Sequence, residues 1–327
     1  MSSQLLTLII PTYNRAEHLS LLLKALSLEL YGLENKVKVI LGDNASTDQT
    51  PLVINSFLET YPTVKVLRYP ENLGAEENFC KCIDEVDTPF FWIIGDDDIP
   101  KKNVIAKILN FLQQEKPDLL YLNSEWLPIV TSQNDGGVIE SLKIKKVSRD
   151  EFAKKVNVWI TFVSGMIVNL ESLLLLKLDI DIRKYENTSL VQLGWVLPLL
   201  MRRSNFYMIS EQCVLATSGN TGGYKLLTVF GLNFPTILEQ ECRANLKVQS
   251  IIIKSLTCDY LPPLIWTNRK NNLNKFLYED PLLALRKFKG TGPYLLIFWP
   301  LIKLPMFIAL SVWVFYRLFN KLRSFTK

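Results

Sequence analysis

The chain reads as an α/β protein, a mostly parallel sheet with helices on both faces, followed by a C-terminal helical region that associates with a membrane. Three observations predict this. Over the first 125 residues, short apolar runs alternate with stretches of helical periodicity. Polar clusters follow the apolar runs, at the strand ends where sheets of this kind bind ligands. Finally, basic residues gather around an apolar, aromatic segment near residue 300.

Each element has its own warrant. LLTLII at 5–10 is a short apolar run ending at Pro11, the pattern of a strand buried on both faces. Leu19, Leu22, Leu23, Leu26 and Leu30 then recur on one helical face. Residues 37–41, 64–67, 90–94 and 119–122 read as further strands, with helical patterns at 51–60, 76–85 and 103–114. Such alternation builds crossover units and hence parallel pairing. Beyond residue 125 the pattern loosens. TSQNDGG at 131–137 marks a loop or hairpin. Residues 160–168 read as a strand, and 190–201 as an apolar helix interrupted by Pro198. Two short strands at 206–209 and 213–216 precede the glycine-rich TSGNTGGY at 217–224, and 226–289 looks helical and more basic.

Composition excludes several classes. With 48% apolar and 21% charged residues in 327, the chain has ample material for a core, and disorder is ruled out. Five cysteines, at 80, 82, 213, 242 and 258, are too few for a disulfide scaffold, and Cys80 and Cys82 lack the spacing of a zinc site. One histidine, His18, argues against a His-rich metal site or a Ser-His-Asp relay elsewhere. A reducing compartment is expected. No basic region precedes 5–10, so no signal peptide is expected and the catalytic body should be cytoplasmic.

Charge is unevenly placed. The net charge is +5, yet residues 286–327 hold eight Lys and Arg and no acid, leaving −3 on the other 285 residues. These basic residues enclose an apolar, aromatic stretch at 294–319, which suits an anionic membrane surface rather than nucleic acid. Pro300, Lys303 and Pro305 interrupt it, and the charge-free run 304–316 is only 13 residues. A span needs about 20. One or two interfacial or re-entrant helices are expected, the alternative being a buried C-terminal helix.

Four polar clusters carry the chemistry: PTYNR at 11–15, GDNASTDQT at 42–50, ENLGAEEN at 71–78 and GDDD at 95–98. Two carboxylates about 4 Å apart repel by ~4 kcal/mol at an effective dielectric of 20. Asp96, Asp97 and Asp98 together therefore call for solvation, protonation or a cation, and oxygen ligands select a hard ion such as Mg²⁺ or Mn²⁺. An ion there can bridge a diphosphate. Helix capping by Asp98 explains one aspartate and leaves two. Asn14 with Glu17 fits a capping box, and Asp48 fits a cap for the helix starting near Pro51. Asp43 can accept from a base N–H, and Gly74 supplies a tight turn or close approach.

In order and spacing, these clusters resemble the nucleotide-sugar-binding half of family 2 glycosyltransferases with the GT-A fold. The resemblance is firm over 5–125 and looser beyond. It implies a Rossmann-like catalytic domain at 1–225, with a donor half at 1–125 and an acceptor half at 126–225. A helical extension at 226–290 and a membrane-associating tail at 291–327 complete the expected organisation. By position, Pro11, Thr12, Tyr13 and Arg15 would line the nucleotide pocket with Asn72, Gly74, Asn78, Asp96 and Asp97, and Asp43 would contact the pyrimidine. Asp96 and Asp98 would hold Mn²⁺ or Mg²⁺. Asn44 replaces an aspartate usual in the family. ENLGAEENF, GDDD, TSLVQLGWVLPLL at 188–200 and the 217–224 loop are similar to the O-antigen abequosyltransferases, which add a 3,6-dideoxyhexose. The donor implied is CDP-linked or UDP-linked. The acceptor implied is a polyprenyl-diphosphate-linked oligosaccharide, at the cytoplasmic face of a bacterial inner membrane.

One departure bears on mechanism. Inverting members carry an acidic pair on the acceptor-side helix, whereas 190–195 here is LVQLGW, without a carboxylate. Gln192 cannot serve as a base. Either Glu186, Asp181 or Glu211 supplies one, or the reaction retains configuration and the departing diphosphate takes the acceptor proton. Gln192, Trp195, Gly165 and Asn220 are the acceptor-side candidates, Trp195 either stacking on a sugar or sitting in the core. Three alternatives stay open: an inverting UDP-hexose transferase, a nucleotidyltransferase (which lacks its glycine-rich loop here), and a non-catalytic carbohydrate-binding scaffold.

Overall fold

The computed structural model describes residues 4–131, 136–176, 181–218, 223–270 and 277–325. The chain divides into two compact units. One comprises Met1–Phe152, Trp159–Asn187 and Val191–Gly219; the other comprises Ala153–Val158, Thr188–Leu190 and Asn220–Lys327.

The first unit is built on β1 (Leu6–Thr12), β2 (Val37–Asp43), β3 (Lys65–Arg68), β4 (Phe90–Ile93), β5 (Ile99–Pro100), β6 (Leu119–Leu127), β7 (Ile144–Val147), β8 (Met166–Asn169) and β9 (Phe206–Thr217). They form one sheet in the order β3-β2-β1-β4-β8-β6-β9-β5, with β7 also on β9. β1 to β4, β6 and β9 run one way, and β8 runs against β4 and β6. The short β5 and β7 run against β9. The helices are α1 (Ala16–Glu29), α2 (Thr50–Thr60), α3 (Ala75–Asp84), α4 (Val104–Glu115), α5 (Arg149–Val156), α6 (Leu170–Leu174) and α7 (Leu193–Arg202). β1 and β4 are buried along their whole length, which is why they read as unbroken apolar runs. α1 buries Leu19, Leu22, Leu23 and Leu26, each contributing about 1.5–3 kcal/mol. This places the carboxyl ends of β1, β2 and β4, and the polar clusters after them, along one edge of the sheet.

Several expectations change. Residues 160–168 are not one strand: two 3₁₀ turns, Asn157–Thr161 and Val163–Gly165, precede the four-residue β8. Their apolar side chains satisfy burial without pairing, because the chain turns there to bring Ser164 under Gly95. The two short strands at 206–209 and 213–216 are a single strand, β9, whose register against β6 shifts around Asn123. Polar Ser210, Glu211 and Gln212 mimic a turn but lie at that irregularity. Asp98 does not cap α4. Glu29 does so from α1, accepting from the amides of Asn103 (2.6 Å) and Ile105 (3.2 Å).

The second unit is helical. Continuous helices at 226–241 and 246–269 each contain a π-helical turn, Val229–Asn233 and Leu256–Tyr260. Glu279, buried, accepts from the amides of Leu227 (2.5 Å) and Thr228 (2.7 Å) and fixes the start of the first. The apolar tail forms helical segments at 294–303 and Met306–Phe325. The Arg269 guanidinium donates to the carbonyls of Leu301 and Leu304, closing the first segment just before Pro305. Among the described residues, no helix is long and apolar enough to cross a membrane.

Candidate active site

The turn after β4 concentrates the acidic chemistry. Asp98 N–H donates to the Gly95 carbonyl (3.0 Å), folding 95–98 into a tight bend that buries all three aspartates. Each meets a different partner. Asp96 accepts from Thr12 Oγ1 at 2.7 Å, and Asp97 from Arg15 Nη1 at 2.9 Å. Asp98 accepts from Ser164 Oγ at 2.6 Å and from the Thr217 amide at 3.1 Å. Thr217 Oγ1 also donates to the Asp97 carbonyl (2.9 Å), so β9 anchors the far end of the bend, while Ser164 Oγ accepts from the Gly95 amide at its start. Arg15 is the cation at hand, lying 3.6 Å from Asp96. Burial, with the neighbouring Asp97 charge, pushes the carboxyls of Asp96 and Asp98 up to about 7, against the pull of Arg15 on Asp96 and of Ser164 on Asp98. The three do not close a carboxylate cage: among the described residues, the group bringing three such ligand atoms within 4.8 Å is Glu77, Cys80 and Glu186.

The ends of β1 and β2 supply the adjoining wall. Pro11 and Thr12 are buried in β1, while Tyr13 is 42% exposed beside them. Asp43 is fully buried and accepts from the Ser46 amide (2.9 Å) and Arg68 Nε (3.1 Å). Asn44 is wholly committed to the neighbouring loop. Its Nδ2 donates to Asn72 Oδ1 (2.8 Å) and the Gly74 carbonyl (3.1 Å), and its Oδ1 accepts from the Leu73 amide (2.8 Å). An aspartate there could not donate, which accounts for the departure at this position. Gly74 has φ +85, a conformation that favours glycine. Asn14 does not form the expected capping box. Its φ is +51 and its side chain accepts from the Thr47 amide (2.7 Å), tying the 46–48 loop to β1. Asp48 caps instead, accepting from the Ala16 and Thr50 amides. Asn78 is turned away from this wall: buried, it donates to the Gly42 carbonyl (2.9 Å) and packs where a Cβ on Gly42 would collide.

The acceptor-side candidates separate. Trp195 is a core residue, 2% exposed and edge-on to Phe91, so it cannot stack on a sugar. Gln192 donates to the Thr161 carbonyl (2.6 Å). The cavity both residues line has about 10 Å³, room for one water and no sugar. Gly165 is buried against Phe162 and meets a packing need. Glu186 lies with Glu77 and Arg183, not at the aspartate bend. Its carboxyl is raised, chiefly by the neighbouring Glu77, whose own carboxyl is held low. Asp181 accepts within its own turn from the Arg183 amide (2.8 Å), and Glu211 from the Lys143 amide (2.7 Å). Asn220 lies outside the described residues. An aromatic group sits nearer the bend. Trp126, 39% exposed, has ring centroids 4.9 Å from Trp159 and 4.7 Å from Phe162. It pairs with Ala216, next to Thr217, while Phe162 is two residues from Ser164.

Residues 7–155 match the family model described as glycosyl transferase family 2. Over this stretch, a little under half of the chain, the sequence is similar to that family. The matched stretch holds the clusters at the ends of β1, β2 and β4. Over 113 residues the chain is 32% identical to abequosyltransferase RfbV of Salmonella typhimurium, covering 34% of this chain and 33% of that protein. Over 121 residues it is 25% identical to glycosyltransferase GlyG of Streptococcus pneumoniae, covering 37% and 39%. These alignments thus span 33% and 39% of the two relatives. In fold, the similarity runs over nearly the whole chain. S. aureus TarS 1-349 in complex with UDP-GlcNAc superposes with a TM-score of 0.61 at 17% identity, covering 96% of this chain and 90% of that one. Mannosyltransferase PcManGT of Pyrobaculum calidifontis, in complex with GDP-Man and Mn²⁺, gives 0.55 at 14% identity, covering 98% and 84%. The fold of the chain is therefore GT-A-like.

Four site residues escape sequence reasoning. Ser164 and Thr217 hold Asp98, Arg68 faces Asp43, and Trp126 heads the aromatic group. Ser164 carries no local signal, and Thr217, first residue of the glycine-rich 217–224 stretch, gives no hint of its contact with Asp98, since both contacts depend on distant segments meeting the β4 turn. A basic residue at the end of β3, beside β2 in a parallel sheet, was the available clue to Arg68.

Proposed function

We propose that this chain is a glycosyltransferase that moves a sugar from a nucleotide-activated donor to a saccharide acceptor in the assembly of a bacterial surface polysaccharide. One observation carries the reading. A buried aspartate bend at the end of β4 is tied through Thr12 and Arg15 to the end of β1 and shares its sheet edge with Asp43. A divalent cation fits this donor set: two hard carboxylates, Asp96 and Asp98, with Arg15 as the counter-ion at hand and ionisation opposed by burial. Held by them with donor phosphate oxygens, Mn²⁺ or Mg²⁺ would supply charge neutralisation for the leaving diphosphate. Arg15 holds Asp97 and stands ready to steady a phosphate, and Asp43 with Arg68 presents an acceptor beside a donor to a pyrimidine edge.

The finer reading is transfer of a 3,6-dideoxyhexose such as abequose from a CDP-sugar to a polyprenyl-diphosphate-linked oligosaccharide, with retention. The 32% identity to an abequosyltransferase supports the sugar class. Retention is supported by the three candidate bases, each engaged elsewhere, and by the lack of a carboxylate in 190–195, where Gln192 donates to the Thr161 carbonyl. In that reaction the C1–O bond to the diphosphate breaks and the acceptor oxygen bonds C1 on the same face. The acceptor proton passes to the departing phosphate oxygen. The exposed Trp126 ring, backed by Trp159 and Phe162, offers the sugar-stacking face that Trp195 does not.

Calorimetric titration with CDP and UDP, each with and without Mn²⁺, tests the donor site on the wild-type chain and on Asp98→Ala. Metal-dependent CDP binding lost in the variant is expected. Preference for UDP would move the donor to ordinary hexoses, and binding of neither would overturn the reading. A product whose anomeric configuration is opposite to that of the donor would end the retention argument.

A further inference from the structure

The second unit carries a surface that transfer chemistry does not use. The helix Met306–Phe325 has one packed face: Trp313 stacks on Trp266 at 5.5 Å, and Tyr316 Oη and Asn320 Nδ2 donate to the Cys258 carbonyl at 3.0 and 3.1 Å. Ala309 is fully buried on the same face. On the opposite face, at spacings of seven and four, lie Phe307 (72% exposed), Val314 (48%), Leu318 (58%) and Leu322 (68%), with Phe315 (72%) beside them. The polar member of that stripe, Ser311, returns its hydroxyl to the Phe307 carbonyl (3.2 Å) and so presents no unmet donor. A soluble protein does not leave such a contiguous apolar stripe in water without a use for it.

We propose that this face lies in the interface of an anionic phospholipid bilayer, with the helix axis along the membrane plane. Charge selects this occupant. Residues 286–327 hold eight basic side chains and no acid, and Lys303 and Arg317, both exposed, flank the stripe. A second copy docked face to face would set these like charges against each other, whereas anionic headgroups neutralise them. Depth is limited by the same sequence. The break at Leu304 and Pro305 separates this helix from the one before it, and no described helix is long and apolar enough to span. A helix packed on one side and apolar on the other sinks to the headgroup boundary and stops there. Trp299, 44% exposed on the preceding segment, is of the residue type favoured at that depth. This inference stands apart from the proposed transfer reaction.

The test is flotation of the full chain with vesicles of phosphatidylcholine alone, or containing about 30% phosphatidylglycerol. Strong binding to the anionic vesicles that weakens with salt is expected. Phe307→Ser with Phe315→Ser should lower partitioning by about tenfold or more. Lys303→Glu with Arg317→Glu should lower it by at least about fivefold per charge on anionic vesicles and little on neutral ones. All four side chains are exposed, so circular dichroism and thermal melting should be unchanged. Failure of the folded wild-type chain to float would overturn the proposal, as would equal flotation of the variants. Sedimentation showing a dimer that the two serines split would assign the face to self-association instead.

Discussion

Two acidic groups in the first unit invite comparison. Asp96, Asp97 and Asp98 are nearly inaccessible, and neutral hydroxyl and amide donors supply most of their partners, with Arg15 as the charged one. Glu77 and Glu186 are about a third exposed or less, and Arg183 bridges Glu77, Asp84 and Glu186, with Lys81 also on Glu77. The glutamates, with Cys80, are the better geometric cluster of ligand atoms. Yet the buried Cys80 thiol is pushed up to about 12 and resists becoming a thiolate, and Arg183 occupies the charge a cation would bring. The aspartate bend keeps an unbalanced charge. Under the proposed function, proximity of acids alone would not attract a cation; charge left only partly balanced under burial would.

The largest effect should come from Asp98→Asn, which keeps the shape of the bend. We expect transfer to fall by about 10²–10³-fold, with metal-dependent nucleotide binding lost. The next test uses pH. The carboxyls of Asp96 and Asp98 are raised to about 7 in the folded chain, against about 4 when unfolded. The folded state thus binds more protons through that window, and stability falls as pH rises from about 4 to about 7. The metal-free Tm should be lower at about pH 8 than at about pH 5.5, and Mn²⁺ should restore it at the higher pH. Glu186 is also raised, so the same scan on Glu186→Gln should keep most of the difference if the aspartates dominate. Asp118, lowered by hydrogen bonds from Ser172, Asn205 and Arg203 despite its burial, loses its contribution only below the ordinary carboxylate range and does not intrude.

Smaller effects discriminate further. Ser164→Ala removes one donor from Asp98 and the acceptor of the Gly95 amide. We expect nucleotide affinity to drop by about tenfold and stability by about 1–2 kcal/mol in denaturant titration. Trp126→Ala should raise the acceptor KM several-fold, on the order of 1 kcal/mol, and leave donor binding intact. Glu186→Gln should leave transfer within about threefold of wild type. A collapse of activity there would reverse the comparison and return Glu186 to the role of base.

Much of this was legible in residues 5–125. The β1 and β4 runs are apolar because both faces are covered, and the four clusters fall at strand ends in sequence order. The acceptor side resisted for a physical reason. Trp195 and Trp126 look alike as letters, but α7 turns the first into the core while β6 leaves the second in solvent. Likewise 160–168 has the composition of a strand, yet only Met166–Asn169 finds a neighbour in the sheet. Asn14 and Glu17 have capping-box spacing, but Asp48 reaches the helix start across a 32-residue separation that no local pattern encodes.

The Asn44 clamp has an evolutionary consequence. Its amide donates to Asn72 and Gly74 and accepts from Leu73, so the two loops read one another through a single side chain. Mutation of Asn44 to the acid usual in the family would set a carboxylate against Asn72 Oδ1 and strand the Gly74 carbonyl. Removal of the Asn72 side-chain oxygen, as in Asn72→Ala, would take one of the two acceptors from Asn44 Nδ2 and the acceptor of the Gly74 amide. The choice of residue at 44 is therefore constrained by a loop 28 residues away, through the acceptors that loop offers.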